Sequence, residues 1–177
     1  MLALNDNQQQ LHDILFKENF KIVIGIWPRQ TGKSFLCTRS MIDMSLQHDH
    51  QVLGVQYPLS LINYYINDEF YKCNLSSKLL KQSKKWVQLD NGSSISLCGF
   101  NTVHTTLIGS KYDLIVIDEF NFMPEKYLYD ICHYNKTIYN ESKILMMTTD
   151  NNKIKNYIDI IKKFLTPTEF VLHNIQN

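Results

Sequence analysis

A short apolar run, Lys21-Ile22-Val23-Ile24-Gly25-Ile26, feeds Pro28-Arg29-Gln30-Thr31-Gly32-Lys33-Ser34, and an amphipathic stretch then continues to about Gln47. Few folds accommodate that order. The unbroken β-branched run reads as a strand buried on both faces. Phe35, Leu36, Met41, Ile42 and Met44 suit a helix packed on a sheet. A glycine-bearing turn between strand and helix brings backbone N–H groups up to an anion at the helix N-terminus. Gly32 permits the close approach, Lys33 is a cation for β and γ phosphates, and Ser34 is a hydroxyl for Mg²⁺. A Gly-Lys-Ser turn arising by chance would not need both flanking elements. The general motif opens with a glycine five residues before Gly32, where this chain has Trp27. The expected nucleotide contacts are Pro28, Arg29, Gln30, Thr31, Gly32, Lys33, Ser34 and Phe35.

The rest of the chain repeats the alternation. Gln51 to Gln56 reads as a second strand stopped by Tyr57-Pro58, with Ser60 capping a helix-like stretch through Asp68. Trp86-Val87-Gln88-Leu89 and Ser94-Ile95-Ser96-Leu97 alternate on either side of Asn91-Gly92, a strong hairpin signal. This hairpin is expected as an insertion on the core. Asp113 to Ile117, Lys143 to Thr148 and Glu169 to Leu172 complete about five core strands. Strands separated by helices imply an α/β P-loop fold, a mainly parallel sheet with helices on both faces. At 177 residues, one domain spanning 1–177 is the expectation.

Leu114-Ile115-Val116-Ile117-Asp118-Glu119 puts two adjacent carboxylates at the end of an apolar strand, a Walker B pattern. A single carboxylate there would read as an ordinary strand exit. Two, in a chain with a P-loop, divide the labour: Asp118, with Ser34, holds Mg²⁺, and Glu119 polarises the attacking water. Thr148 and Thr149, ahead of Asp150, either sense the γ-phosphate or cap the following helix.

Composition narrows the partners. A net charge of +1 gives no global field for nucleic acid or membrane surfaces, so any DNA contact must be local. Arg29 and Arg39 are the only arginines, which leaves few candidates for a planar phosphate clamp. Lys78, Lys81 and Lys85, with Lys84 alongside, are spaced to share a solvated helix face. The four cysteines contain no CxxC pair and read as reduced thiols. His48 and His50 fit an exposed turn, and Tyr64, Tyr65, Tyr127, Tyr129 and Tyr134 fit packing roles. The N-terminus carries no secretory pattern and no segment is apolar enough to span a bilayer, so a soluble intracellular protein is expected.

These segments together resemble the ATPase domain of the viral terminase large subunit, the DNA-packaging motor of tailed phages. That family is similar to Arg29-Gln30-Thr31-Gly32-Lys33-Ser34 in lacking the opening glycine, and Asn91-Gly92-Ser93, Gly109 and Asp118-Glu119-Phe120 follow in its order. The resemblance implies an adenine-reading glutamine at Gln8, a coupling motif at Thr148-Thr149, and catalysis by Glu119, Lys33 and Arg29. It implies ATP and Mg²⁺ as cofactors and double-stranded DNA as partner. A viral portal, a separate nuclease and a homo-oligomeric ring are further implied partners, with the cytoplasm of an infected host cell as location. Ile108-Gly109 stands where the family often has an arginine before glycine, so that arginine's role is absent or displaced. The length leaves no room for the family's nuclease domain. Two alternatives stay open: a nucleotide-dependent assembly or regulatory module without translocation, and a helicase-like half motor.

Overall fold

β1 (Ile22–Ile26) is buried at every residue, as an all-apolar strand must be when helices cover both sides of its sheet. The computed structural model describes residues 3–56, 68, 78–83, 85–149 and 154–175. The stop at Tyr57-Pro58, the stretch capped by Ser60, Tyr64, Tyr65, Cys73, Lys84 and Asp150 lie outside the described residues.

Along the chain, α1 (Asp6–Lys17) precedes β1, followed by α2 (Lys33–Ser45), β2 (Gln51–Val55), β3 (Leu79–Ser83), β4 (Trp86–Leu89) and β5 (Ser94–Cys98). Then come α3 (Val103–Leu107), β6 (Leu114–Asp118), α4 (Glu125–His133), β7 (Lys143–Thr148), α5 (Ile154–Phe164) and β8 (Phe170–Asn174). The eight strands form one sheet in the order β3-β4-β5-β2-β6-β7-β1-β8. From β5 to β8 all neighbours are parallel, and only β3-β4 and β4-β5 are antiparallel. Placing β7 and β6 between β1 and β2 brings the exits of β1, β6 and β7 together on one edge, where ligands bind in open α/β sheets.

Two apolar clusters sandwich the sheet. One face packs Leu11, Leu15, Leu36, Met41 and Ile42 of α1 and α2 against Val23, Val116, Leu145 and Met147. The other packs Leu128, Ile131, Ile160 and Ile161 of α4 and α5 against Ile24, Ile115, Ile117 and Ile144. Alternate residues of each strand supply the two clusters, which is why the central strands lack a polar face.

The expected hairpin around Asn91-Gly92 forms and joins the sheet as β4 and β5, and one other expectation changes. β5 pairs parallel with β2 from Gln51↔Ser94 to Val55↔Cys98, because Ile95 and Leu97 bury against α2's side of the core. The lysine run is not a helix face: Lys81 lies in β3, an edge strand paired with β4 through Ser83↔Trp86. Period-three lysine spacing misled here because β3 is exposed from Leu80 to Ser83, so no buried side imposes alternation. Lysine on such an edge discourages pairing with other chains.

Candidate functional site

The loop from Trp27 to Gly32 leaves β1 and enters α2. Gly32 caps α2 in the left-handed region, φ 83° and ψ 27°, a conformation glycine adopts without strain. Trp27, in place of the usual opening glycine, is fully buried. Its amide donates to Thr148 O at 2.9 Å, and its indole N–H donates to Nδ1 of His173 on β8 at 3.1 Å. The loop is thus pinned at its entrance by a large side chain instead of being freed there.

Lys33 is 6% exposed, and its ammonium donates to Trp27 O at 3.3 Å and Pro28 O at 2.9 Å. Its Nζ also lies 3.6 Å from Glu119 Oε1. Ser34 Oγ donates to Asp118 Oδ2 at 2.6 Å. Asp118 closes β6 and is 2% exposed. Burial raises its pKa, opposed by the Ser34 hydroxyl and reinforced by the Glu119 charge. Beneath it, the Cys37 thiol is pushed well up by burial and by the charges of Asp118 and Glu119.

Glu119 turns the chain sharply, at φ 51° and ψ 50°. A non-glycine residue there is strained by about 1–3 kcal/mol, and such strain concentrates at functional sites. Its carboxylate accepts the Thr149 amide at 3.2 Å and the Thr149 hydroxyl at 3.3 Å. A cleft of ≈ 630 Å³ opens over these groups, lined by Arg29, Gln30, Gly32, Lys33, Ser34, Phe35, Glu119, Asn121, Phe122 and Thr149.

Most sequence-chosen residues line this cleft, and five do not: Gln8, Pro28, Thr31, Thr148 and Asp118, the last meeting it through its bond to Ser34. Gln8 is 5% exposed and spends its amide elsewhere: Oε1 accepts the Asn5 amide at 3.0 Å and Nε2 donates to Gly32 O at 3.3 Å. As placed, it caps α1 and braces the phosphate loop. Pro28 and Thr31 shape the loop from beneath, the Thr31 hydroxyl donating to Pro28 O at 2.8 Å. Thr148 is fully buried, so Thr149 is the threonine that faces the cleft. Of the two arginines, Arg29 lines the cleft, whereas Arg39 donates to Asp43 Oδ2 at 2.7 Å across one turn of α2.

Gln56, Asn121 and Phe122 escaped the sequence reading. Gln56 was legible in principle, since a polar residue ending an apolar strand next to the Walker B strand has to have a partner.

Mg²⁺ is tested by its donor set. It binds through one or two carboxylates, phosphate oxygens and retained waters. Ser34 Oγ and an Asp118 whose Oδ1 is buried without a hydrogen-bond partner among the described residues fit that need. No cluster of three His, Cys, Asp or Glu side chains suited to a metal occurs among the described residues.

Comparison with known proteins agrees with this fold. Residues 24–176 match the family model of the terminase large subunit, T4-like-virus type, N-terminal. No curated protein sequence matches significantly. Among solved structures, the large terminase ATPase domain of Thermus phage P74-26 superposes with TM-score 0.72 at 12% identity, over 98% of this chain and 81% of that one. The N-terminal domain of the bacteriophage phi29 DNA packaging ATPase gives 0.69 at 14%, over 97% and 95%. The large terminase of the thermophilic bacteriophage D6E in complex with ATP-γ-S gives 0.69 at 10% over 97% of this chain, which spans 44% of that protein.

Proposed function

Because the chain belongs to the T4-like-virus-type terminase large subunit N-terminal family, we propose that its cleft binds ATP with Mg²⁺ and hydrolyses it to drive double-stranded DNA packaging. The reading rests above all on Lys33, Ser34, Asp118 and Glu119 meeting at the exits of β1 and β6. ATP-γ-S in the D6E terminase supports it.

Without nucleotide, Lys33 neutralises itself on two loop carbonyls and Glu119. A polyphosphate, carrying several negative charges, is a stronger partner, so its arrival draws the ammonium off Glu119 and frees that carboxylate for water. Glu119 then accepts the attacking water's proton. Ser34 and Asp118 would hold Mg²⁺, which would supply positive charge against the phosphates. Arg29, exposed at the rim, has the reach to meet charge developing on the γ-phosphoryl group, a role worth orders of magnitude in rate. Thr149, which holds Glu119 through both amide and hydroxyl, passes loss of the γ-phosphate into β7.

We place the whole of 1–177 in one such domain, acting in the infected host cell as part of a ring with portal and nuclease partners. No helix among the described residues is long and apolar enough to cross a membrane. The test is ATP turnover by wild type, Lys33→Ala and Glu119→Gln. Wild-type turnover lost in both variants, with nucleotide still bound by Glu119→Gln, supports the assignment. Undiminished turnover in both would sink it. Stimulation of the wild-type rate by double-stranded DNA supports the packaging role, and indifference to DNA favours the regulatory-module alternative.

A further inference from the structure

Gln56 follows directly on β2. The parallel register of β2 and β6 pairs Val55 with Ile117, so the next step along both strands sets Gln56 beside Asp118 on the face packed against α2. Gln56 is 3% exposed, and its Nε2 donates to Asp118 Oδ2 at 3.2 Å. The amide can point only this way, because Oε1 turned toward a carboxylate would oppose two acceptors. With its donor end fixed, its acceptor end is fixed too. That oxygen, Gln56 Oε1, is buried without a hydrogen-bond partner among the described residues, as is Asp118 Oδ1.

Buried acceptors without a donor are costly, and these two, unpartnered among the described residues, belong to side chains already bonded to each other. A hydrated divalent cation at Ser34 and Asp118 satisfies both, because one oxygen can ligate while the other accepts from a coordinated water.

We propose that Gln56 is a positioning residue for the cation: its Nε2 orients Asp118, and its Oε1 accepts a hydrogen bond from a cation-bound water. The inference rests on the proposed nucleotide site and assigns it a partner from β2, on the far side of β6 from the phosphate loop. Partners of this kind typically change metal affinity 10–100-fold when removed. They also link the cation to the strand that carries them.

The experiment measures the affinity of a fluorescent ADP analogue with Mg²⁺ and with EDTA, for wild type and for Gln56→Met, an unbranched apolar replacement of similar length. The ratio of the two affinities isolates the cation. The expected result is a ratio about tenfold smaller in Gln56→Met with the EDTA affinity retained. A merely structural role would lower both affinities together, and an unchanged ratio overturns the inference. Gln56→Leu, read the same way, covers poor folding of the first variant. Wild-type binding that ignores Mg²⁺ overturns the site reading and this inference with it, whereas Mg²⁺ dependence kept by both variants overturns the inference alone.

Discussion

Replacing Gly32 by alanine tests how the phosphate loop is held. Two effects add. Alanine at φ 83° enters the left-handed region at about 1–2 kcal/mol. Its Cβ would also run into the Gln8 amide nitrogen, so Gln8 must swing away. That motion breaks the bond to Gly32 O and disturbs the reciprocal cap with Asn5, worth about 1 kcal/mol. The sum is about 2–3 kcal/mol. At about 2–4 °C per kcal/mol for a chain of this size, the melting temperature should fall by roughly 5–10 °C. In a Gln8→Ala background the collision and its bonds are already gone, so Gly32→Ala should cost only the backbone term, about 1 kcal/mol less. Thermal unfolding of the four proteins of this cycle, nucleotide-free, gives the numbers. A Gly32→Ala variant melting with wild type, or the same loss in both backgrounds, would refute the claim that Gln8 braces the loop.

Other perturbations follow from the same contacts. Trp27→Gly restores the common motif but empties a fully buried site, and should destabilise by at least about 3–5 kcal/mol in denaturant unfolding. Asp118→Asn should raise the melting temperature of the nucleotide-free protein near pH 7 while abolishing the Mg²⁺ dependence of nucleotide binding. The sign follows from burial raising the Asp118 pKa: the native state holds that proton more tightly, so this group's contribution to stability falls as pH rises through the window above about 3.9. His173 acts oppositely. Burial lowers its pKa, so below about pH 6.5 the unfolded chain takes up the proton first and stability falls. His173→Gln should flatten the pH 5–7 part of a stability profile.

The residues of the proposed site were more legible in the sequence than those that support them. Gly32, Lys33, Ser34, Asp118 and Glu119 were legible because each needs a fixed chemistry at a fixed place between strand and helix. Trp27 was legible as a departure, but its use was not: the His173 acceptor lies 146 positions away, and no local pattern encodes that pairing. Gln8 was found through family likeness, yet its amide turns to Asn5 and Gly32, since a capping box at Asn5 claims it. β3 stayed hidden because an exposed edge strand shows no alternation. The strand-end position of Gln56 signalled a partner, and the β2–β6 register identified that partner as Asp118.

A structure determined with Mg²⁺ and a non-hydrolysable ATP analogue tests the central claim most directly. The account predicts the β and γ phosphates within hydrogen-bond reach of the Lys33 ammonium and the Gly32 to Ser34 amides, with Mg²⁺ on Ser34 and Asp118 and the Lys33–Glu119 contact opened. An analogue bound elsewhere, such as the apolar groove of Leu107, Ile108 and Tyr134 between α3 and α4, with the Lys33–Glu119 contact intact, would contradict it.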